Sequence, residues 1–121
     1  MQDQQVPFAP TLNRRKFPRK SFRKVITYLC LGQGEVVDGV EIGEGGISFK
    51  CRRELILEQK LIVSFFLPEG DFFSLRTTLR NVQTQGDEKI YGVSFDEVSI
   101  ALKRQIRAYV ARTSSSVSMS S

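Results

Sequence analysis

From Phe22 to Phe95 the chain is a succession of short β-rich runs broken by turn residues, a punctuation that admits little besides a small antiparallel sheet system or barrel. Six runs can be read: Phe22 to Leu31, Glu35 to Glu41, Ile47 to Cys51, Lys60 to Leu67, Phe72 to Gln83 and Lys89 to Phe95. Gly32-Gln33-Gly34, Pro68-Glu69-Gly70-Asp71 and Gly86-Asp87-Glu88 supply connecting turns. The fourth run sets Leu61, Val63, Phe65 and Leu67 on one side and Ile62, Ser64 and Phe66 on the other. Neither face is wet, so a further element is expected to cover that strand. The fifth sets Arg76, Thr78 and Arg80 opposite Leu75, Thr77 and Leu79, which predicts one solvated face.

A candidate cover follows the last strand. Val98, Leu102, Ile106, Tyr109 and Val110 recur at helical spacing, with Lys103, Arg104, Arg107 and Arg112 mainly on other sides. Asp96 is positioned to cap this helix. The polar, aperiodic residues 1–13 read as a flexible lead-in, and the Ser-rich residues 113–121 as a disordered tail without the apolar content to fold. The foldable domain is therefore expected to span residues 14–112.

At 121 residues with 40% hydrophobic content, the chain suits one domain with a sizeable core. No apolar run is long enough for a membrane span, and Met1-Gln-Asp-Gln-Gln lacks the character of a secretory signal, so a cytoplasmic protein without membrane insertion is expected. Cys30 and Cys51 each sit inside a strand-like run and read as small buried hydrophobes. With no His in the chain and no acidic or basic pair marked out by spacing, nothing points to an enzyme or a metal site.

Charge is distributed unevenly. Residues 1–24 carry seven Lys/Arg against Asp3, a balance of +6, while residues 25–121 carry eleven against twelve Asp/Glu, a balance of −1. A short, focused anion site fits these numbers better than a basic coat for long nucleic acid. The nine Phe residues mostly alternate into core positions instead of interleaving with Lys/Arg on one exposed strand, so neither DNA nor RNA is the expected partner. The arm contains Arg14-Arg15-Lys16-Phe17-Pro18-Arg19, an Arg-x-x-x-Arg pair leading into the first strand, and an overlapping pair runs from Arg19 to Arg23. Downstream, Val40 to Phe49 places Gly43, Gly45 and Gly46 within four positions between two runs. Such a turn can expose backbone N–H groups to a ligand, glycine tolerating positive φ, or can be a tight turn with no ligand at all.

Arg15-Lys-Phe-Pro-Arg19, then Glu41-Ile-Gly43-Glu-Gly-Gly46-Ile-Ser-Phe, then Tyr91-Gly92-Val93-Ser94-Phe95 before a terminal helix, together resemble a PilZ domain from about Arg14 to Val110. The resemblance implies a mainly β protein, a six-stranded antiparallel β-barrel with a C-terminal α-helix. It also implies a receptor for the bacterial second messenger cyclic di-GMP, with no cofactor. In that family an Arg-x-x-x-Arg motif and an Asp/Asn-x-Ser-x-x-Gly motif recognise the dinucleotide. Arg15 and Arg19 match the first, Gly46 matches the last glycine of the second, and Arg14 precedes the first motif. Glu41 stands where the family has Asp or Asn, and Gly43 where it has Ser. The longer Glu41 still offers a carboxylate to a guanine edge, whereas Gly43 supplies no hydroxyl. Arg76 and Arg80 are candidates to compensate. Output would pass in trans to an unidentified effector protein, by a monomer or a dimer. The alternative is a PilZ-fold adaptor of motility or pilus machinery that binds no nucleotide.

Overall fold

The computed structural model describes residues 19–68 and 70–120, with side chains through Arg112. Its strands are β1 (Arg19–Ser21), β2 (Val25–Cys30), β3 (Gln33–Gly43), β4 (Gly46–Cys51), β5 (Lys60–Phe66), β6 (Phe72–Gln85) and β7 (Glu88–Phe95), followed by helix α1 (Ile100–Ser120). All neighbours pair antiparallel in the order β1-β3-β2-β5-β6-β7-β4. Pairing of β3 with β4 closes six of the strands into a barrel, and β1 lies along β3 beyond the end of β2.

Period-two patterning sets the inside of the barrel. Ile26, Tyr28 and Cys30 of β2 and Leu61, Val63 and Phe65 of β5 point inward, joined by Phe49, Leu79, Tyr91, Val93 and Phe95. Both cysteines are free and buried. Phe65 lies 5.8 Å from Phe22 and 6.3 Å from Phe95, and Phe49 lies 5.5 Å from Tyr28, all centroid to centroid, so aromatic rings fill much of the interior. The buried Tyr28 hydroxyl donates to Glu35 Oε1 at 2.5 Å, which satisfies it where the barrel meets solvent. Burial first, then this bond, pushes the phenol well above its ordinary pKa.

Helix α1 closes one end of the barrel. Leu102, Ile106 and Val110 are buried, and Lys103, Arg104 and Arg107 face outward, as the helical spacing predicts. Its contacts reach three separate places: Tyr109 donates to the Ser21 carbonyl (2.9 Å), Gln105 donates to Asp71 Oδ2 (2.9 Å), and Arg107 meets Glu44.

Several expectations are corrected. The first run begins as a strand only at Val25, and a separate short strand, β1, precedes it, because residues 22–24 cross closely over Gly39, where a Cβ would lie 2.7 Å from the Phe22 carbonyl oxygen. The β2–β3 turn is Leu31-Gly32, both at positive φ (51° and 80°), one position earlier than read. Thr78 is buried on the outer side of β6, covered by Lys60 and Asp96, each bonded to its hydroxyl at 2.7 Å. Helix α1 packs on β1 and β3, leaving Ile62 and Phe66 of β5 exposed. Its cap is Ser99, whose hydroxyl accepts from the Leu102 N–H at 3.0 Å, and Asp96 is held instead by Thr78 and Lys60. The helix backbone runs on through residues 113–120. Each residue added to an existing helix gains a backbone bond and serine costs only about half a kcal/mol, so apolar content is not required.

Candidate ligand site

A surface cleft of about 330 Å³ lies where the β3–β4 hairpin tip meets β6 and β7. Residues 41–48 form one wall, Arg80 and Asn81 another, and residues 92–94 the floor. Arg19, on β1, stands at its edge. Pairing of Arg19 with Gly43 and of Ser21 with Glu41 across β1 and β3 fixes this juxtaposition. Arg19 Nη1 lies 3.8 Å from Glu41 Oε1 with both side chains about two-fifths exposed, so a donor fork and an acceptor carboxylate share one wet opening.

Four of the six residues singled out in the sequence, Arg19, Glu41, Gly43 and Gly46, therefore border a single cleft. Arg14 and Arg15 lie outside the described residues. The glycines act differently from the expectation that positive φ matters, since Gly43, Gly45 and Gly46 all have ordinary φ. Gly46 is instead required by proximity, because a Cβ there would run into the Val93 carbonyl oxygen of β7. Ser48, also in the wall, accepts from the Glu41 N–H on its Oγ at 3.1 Å.

Glu44, between Gly43 and Gly45, belongs to the cleft wall and is already paired. It accepts two bonds of 2.9 Å from Arg107 of α1, a bidentate pair that ties the hairpin tip to the helix. These bonds hold its carboxyl below the usual carboxylate range. Of the two compensating arginines considered, Arg80 does line the cleft, where Nε donates to Ser94 Oγ (2.9 Å) and Nη1 pairs with Glu58 (2.9 Å). Arg76 borders a different hollow with Leu29 and Ile62. Asn81 was not legible as a site residue. It is brought to the wall by a bulge between Leu79 and Asn81, opposite the bare backbone of Gly92. Among the described residues no cluster of three His, Cys, Asp or Glu is arranged to hold a metal, and no helix is long and apolar enough to cross a membrane.

Together these features define a small closed β-barrel with a capping helix and a cleft at one hairpin tip. The family described as PilZ domain matches residues 13–112, and the chain belongs to it. Three solved structures share the fold. The inhibitor of motility MotI/DgrA of Bacillus subtilis has a TM-score of 0.77 at 14% identity, over 85% of this chain and 52% of that one. YcgR of Escherichia coli in complex with c-di-GMP has a TM-score of 0.70 at 15% identity, over 88% and 49%. The PilZ domain of the same YcgR, with c-di-GMP, has a TM-score of 0.67 at 14% identity, over 86% and 94%. The chain thus spans about half the length of the first two. No curated protein sequence matches it at a significant level.

Proposed function

We propose that this domain is a receptor for cyclic di-GMP that signals in trans to a partner protein. The observation that carries the reading is the meeting of Arg19 and the Glu41–Gly46 hairpin tip on one cleft. Relatives of the same fold, YcgR and MrkH, are known in complex with that dinucleotide. In this reading Arg15 and Arg19 grip phosphate and the O6/N7 edge of guanine, for which a planar guanidinium is suited. Glu41 accepts from the guanine N1–H and amino group, exchanging its pairing with Arg19 for the ligand. Ligand binding draws residues 14–18 onto the barrel, and the changed surface is what the partner reads.

A second reading, the adaptor of motility or pilus machinery that binds no nucleotide, is favoured by one observation: Glu41 already has Arg19 as a partner, and Gly43 offers no hydroxyl. Titration calorimetry with cyclic di-GMP separates the two. The receptor binds at micromolar concentration or tighter and loses at least about a hundredfold in the Arg15→Ala, Arg19→Ala variant, while Gly43→Ser tightens binding by about tenfold, one added hydrogen bond. No heat from the folded wild type would leave the adaptor.

A further inference from the structure

The outside of the barrel carries a four-strand face that the cleft does not use. Register sets the outward residues of β3, β2, β5 and β6 in rows: Val36, Thr27, Ser64 and Ser74 in one, Gly34, Leu29, Ile62 and Arg76 in the next. On the other side of the first row, Val25 lies beside Asp38, and Phe66 beside Phe72 with ring centroids 4.8 Å apart. The same register carried two residues on sets Val25 level with Phe66, which completes a third row. Val25, Val36, Phe66 and Phe72 are each more than half exposed, and Leu29 and Ile62 nearly so. Six large apolar side chains gathered around Thr27 and Ser64 on one face are more than the single scattered residues an ordinary surface shows, and patches of this kind mark interaction sites.

We propose that this face docks against the same face of a second copy of the chain. Two corners of the patch carry opposite charges, Asp38 at one end of the diagonal and Arg76 at the other. Neither side chain has an ion pair or hydrogen bond among the described residues. Strands are about 4.8 Å apart and alternate residues about 6.8 Å apart, so four strands by three rows make a nearly square patch of about 14 Å a side. A two-fold axis along the other diagonal therefore superposes the patch on itself, with the two sets of strands crossing near right angles. That one operation lays the partner's Asp38 on Arg76, and Asp38 under the partner's Arg76. It also brings the partner's Val36 over Leu29 and Ile62, at the mouth of a hollow of about 560 Å³.

Shape supports the same docking. A barrel wall is convex, so two walls touch first at their centres, where the residues here are the small Thr27 and Ser64. The larger side chains stand around them and fill the widening gap. The Ser64 and Ser74 hydroxyls are 2.9 Å apart and bonded to each other, so each keeps one partner when covered. The contact falls below the roughly 1,200 Å² of a standard interface, so the dimer forms at high protein concentration.

Sedimentation velocity of the full chain over a wide concentration range tests this, with circular dichroism confirming that each variant is folded. Wild type passes from monomer to dimer, and Phe66→Ser, Phe72→Ser stays monomeric. Asp38→Arg or Arg76→Asp alone weakens association by roughly tenfold or more, because each sets two like-charge contacts where two attractions stood. The two combined restore the wild-type constant to within about threefold, the signature of a direct pair. Wild type that stays monomeric throughout overturns the proposal and leaves the face to a different protein. A dimer that survives loss of both phenylalanines, or a double reversal no better than either single, overturns it as well.

Discussion

Gly45 and Gly46 are neighbours with opposite tolerances. Open space surrounds a Cβ on Gly45, whereas one on Gly46 meets the Val93 carbonyl oxygen where β4 closes against β7. Neither residue has positive φ, so steric room alone separates them. Gly46→Ala is expected to cost about 1–3 kcal/mol or more, the range for an overpacked site, and Gly45→Ala no more than about 0.5 kcal/mol. Parallel urea denaturation of the two variants checks this, and equal midpoints would mean that the β4–β7 seam gives way without strain. The sequence motif pointed to Gly46 as a ligand residue, yet its closeness to Val93 was invisible because the strand that crowds it is remote in the chain. Arg19 and Glu41 were legible because their residue types carry the chemistry. Asn81 was not, since a bulge leaves no mark in an otherwise regular Leu-Arg-Asn alternation.

The start of α1 shows how an element's end is chosen by its surroundings. Asp96, the cap read from the sequence, and Ser99 are both good capping types. Thr78 and Lys60 decide between them by bonding the Asp96 carboxylate to the barrel at 2.7 and 3.0 Å, which leaves Ser99 to accept from the Leu102 N–H. Ser99→Ala should therefore lower folding stability by about 1 kcal/mol. Asp96→Asn should leave the helix start intact while loosening the cover over Thr78. Amide exchange at Leu102 reads the difference: faster in Ser99→Ala, unchanged in Asp96→Asn, and the reverse pattern would return the cap to Asp96. Strands were legible for the reason capping was not. Alternation of core and surface residues is written in β2 and β5 themselves, whereas the late start of β2 depended on Gly39 in the strand beside it.

Across the whole molecule, six runs and an amphipathic helix foretold a barrel with a cap, but not where the cap sits. An apolar stripe shows that a helix buries one side and says nothing of what it buries against. The outer face of β5 had seemed to need a cover, while α1 in fact seals the barrel end and binds β1, the β5–β6 turn and the β3–β4 hairpin through Tyr109, Gln105 and Arg107. Two carboxylates belonging to this framework give it a pH dependence. Arg107 lowers the pKa of Glu44, and Thr78 first, with Lys60, lowers that of Asp96. In the unfolded chain such groups titrate near about 4.3 and 3.9, so folding favours their charged forms. Their contribution is complete above those values and is lost as pH falls through them toward the lower folded-state values. Urea denaturation at a series of pH values should show a stability loss that steepens below about pH 5. Arg107→Gln removes the partner of Glu44, so its stability should be lower at neutral pH and should fall less steeply in acid. An acid limb parallel to that of the wild type would show that the Arg107–Glu44 pair is not kept in solution, and with it would go the link between the helix and the β3–β4 hairpin.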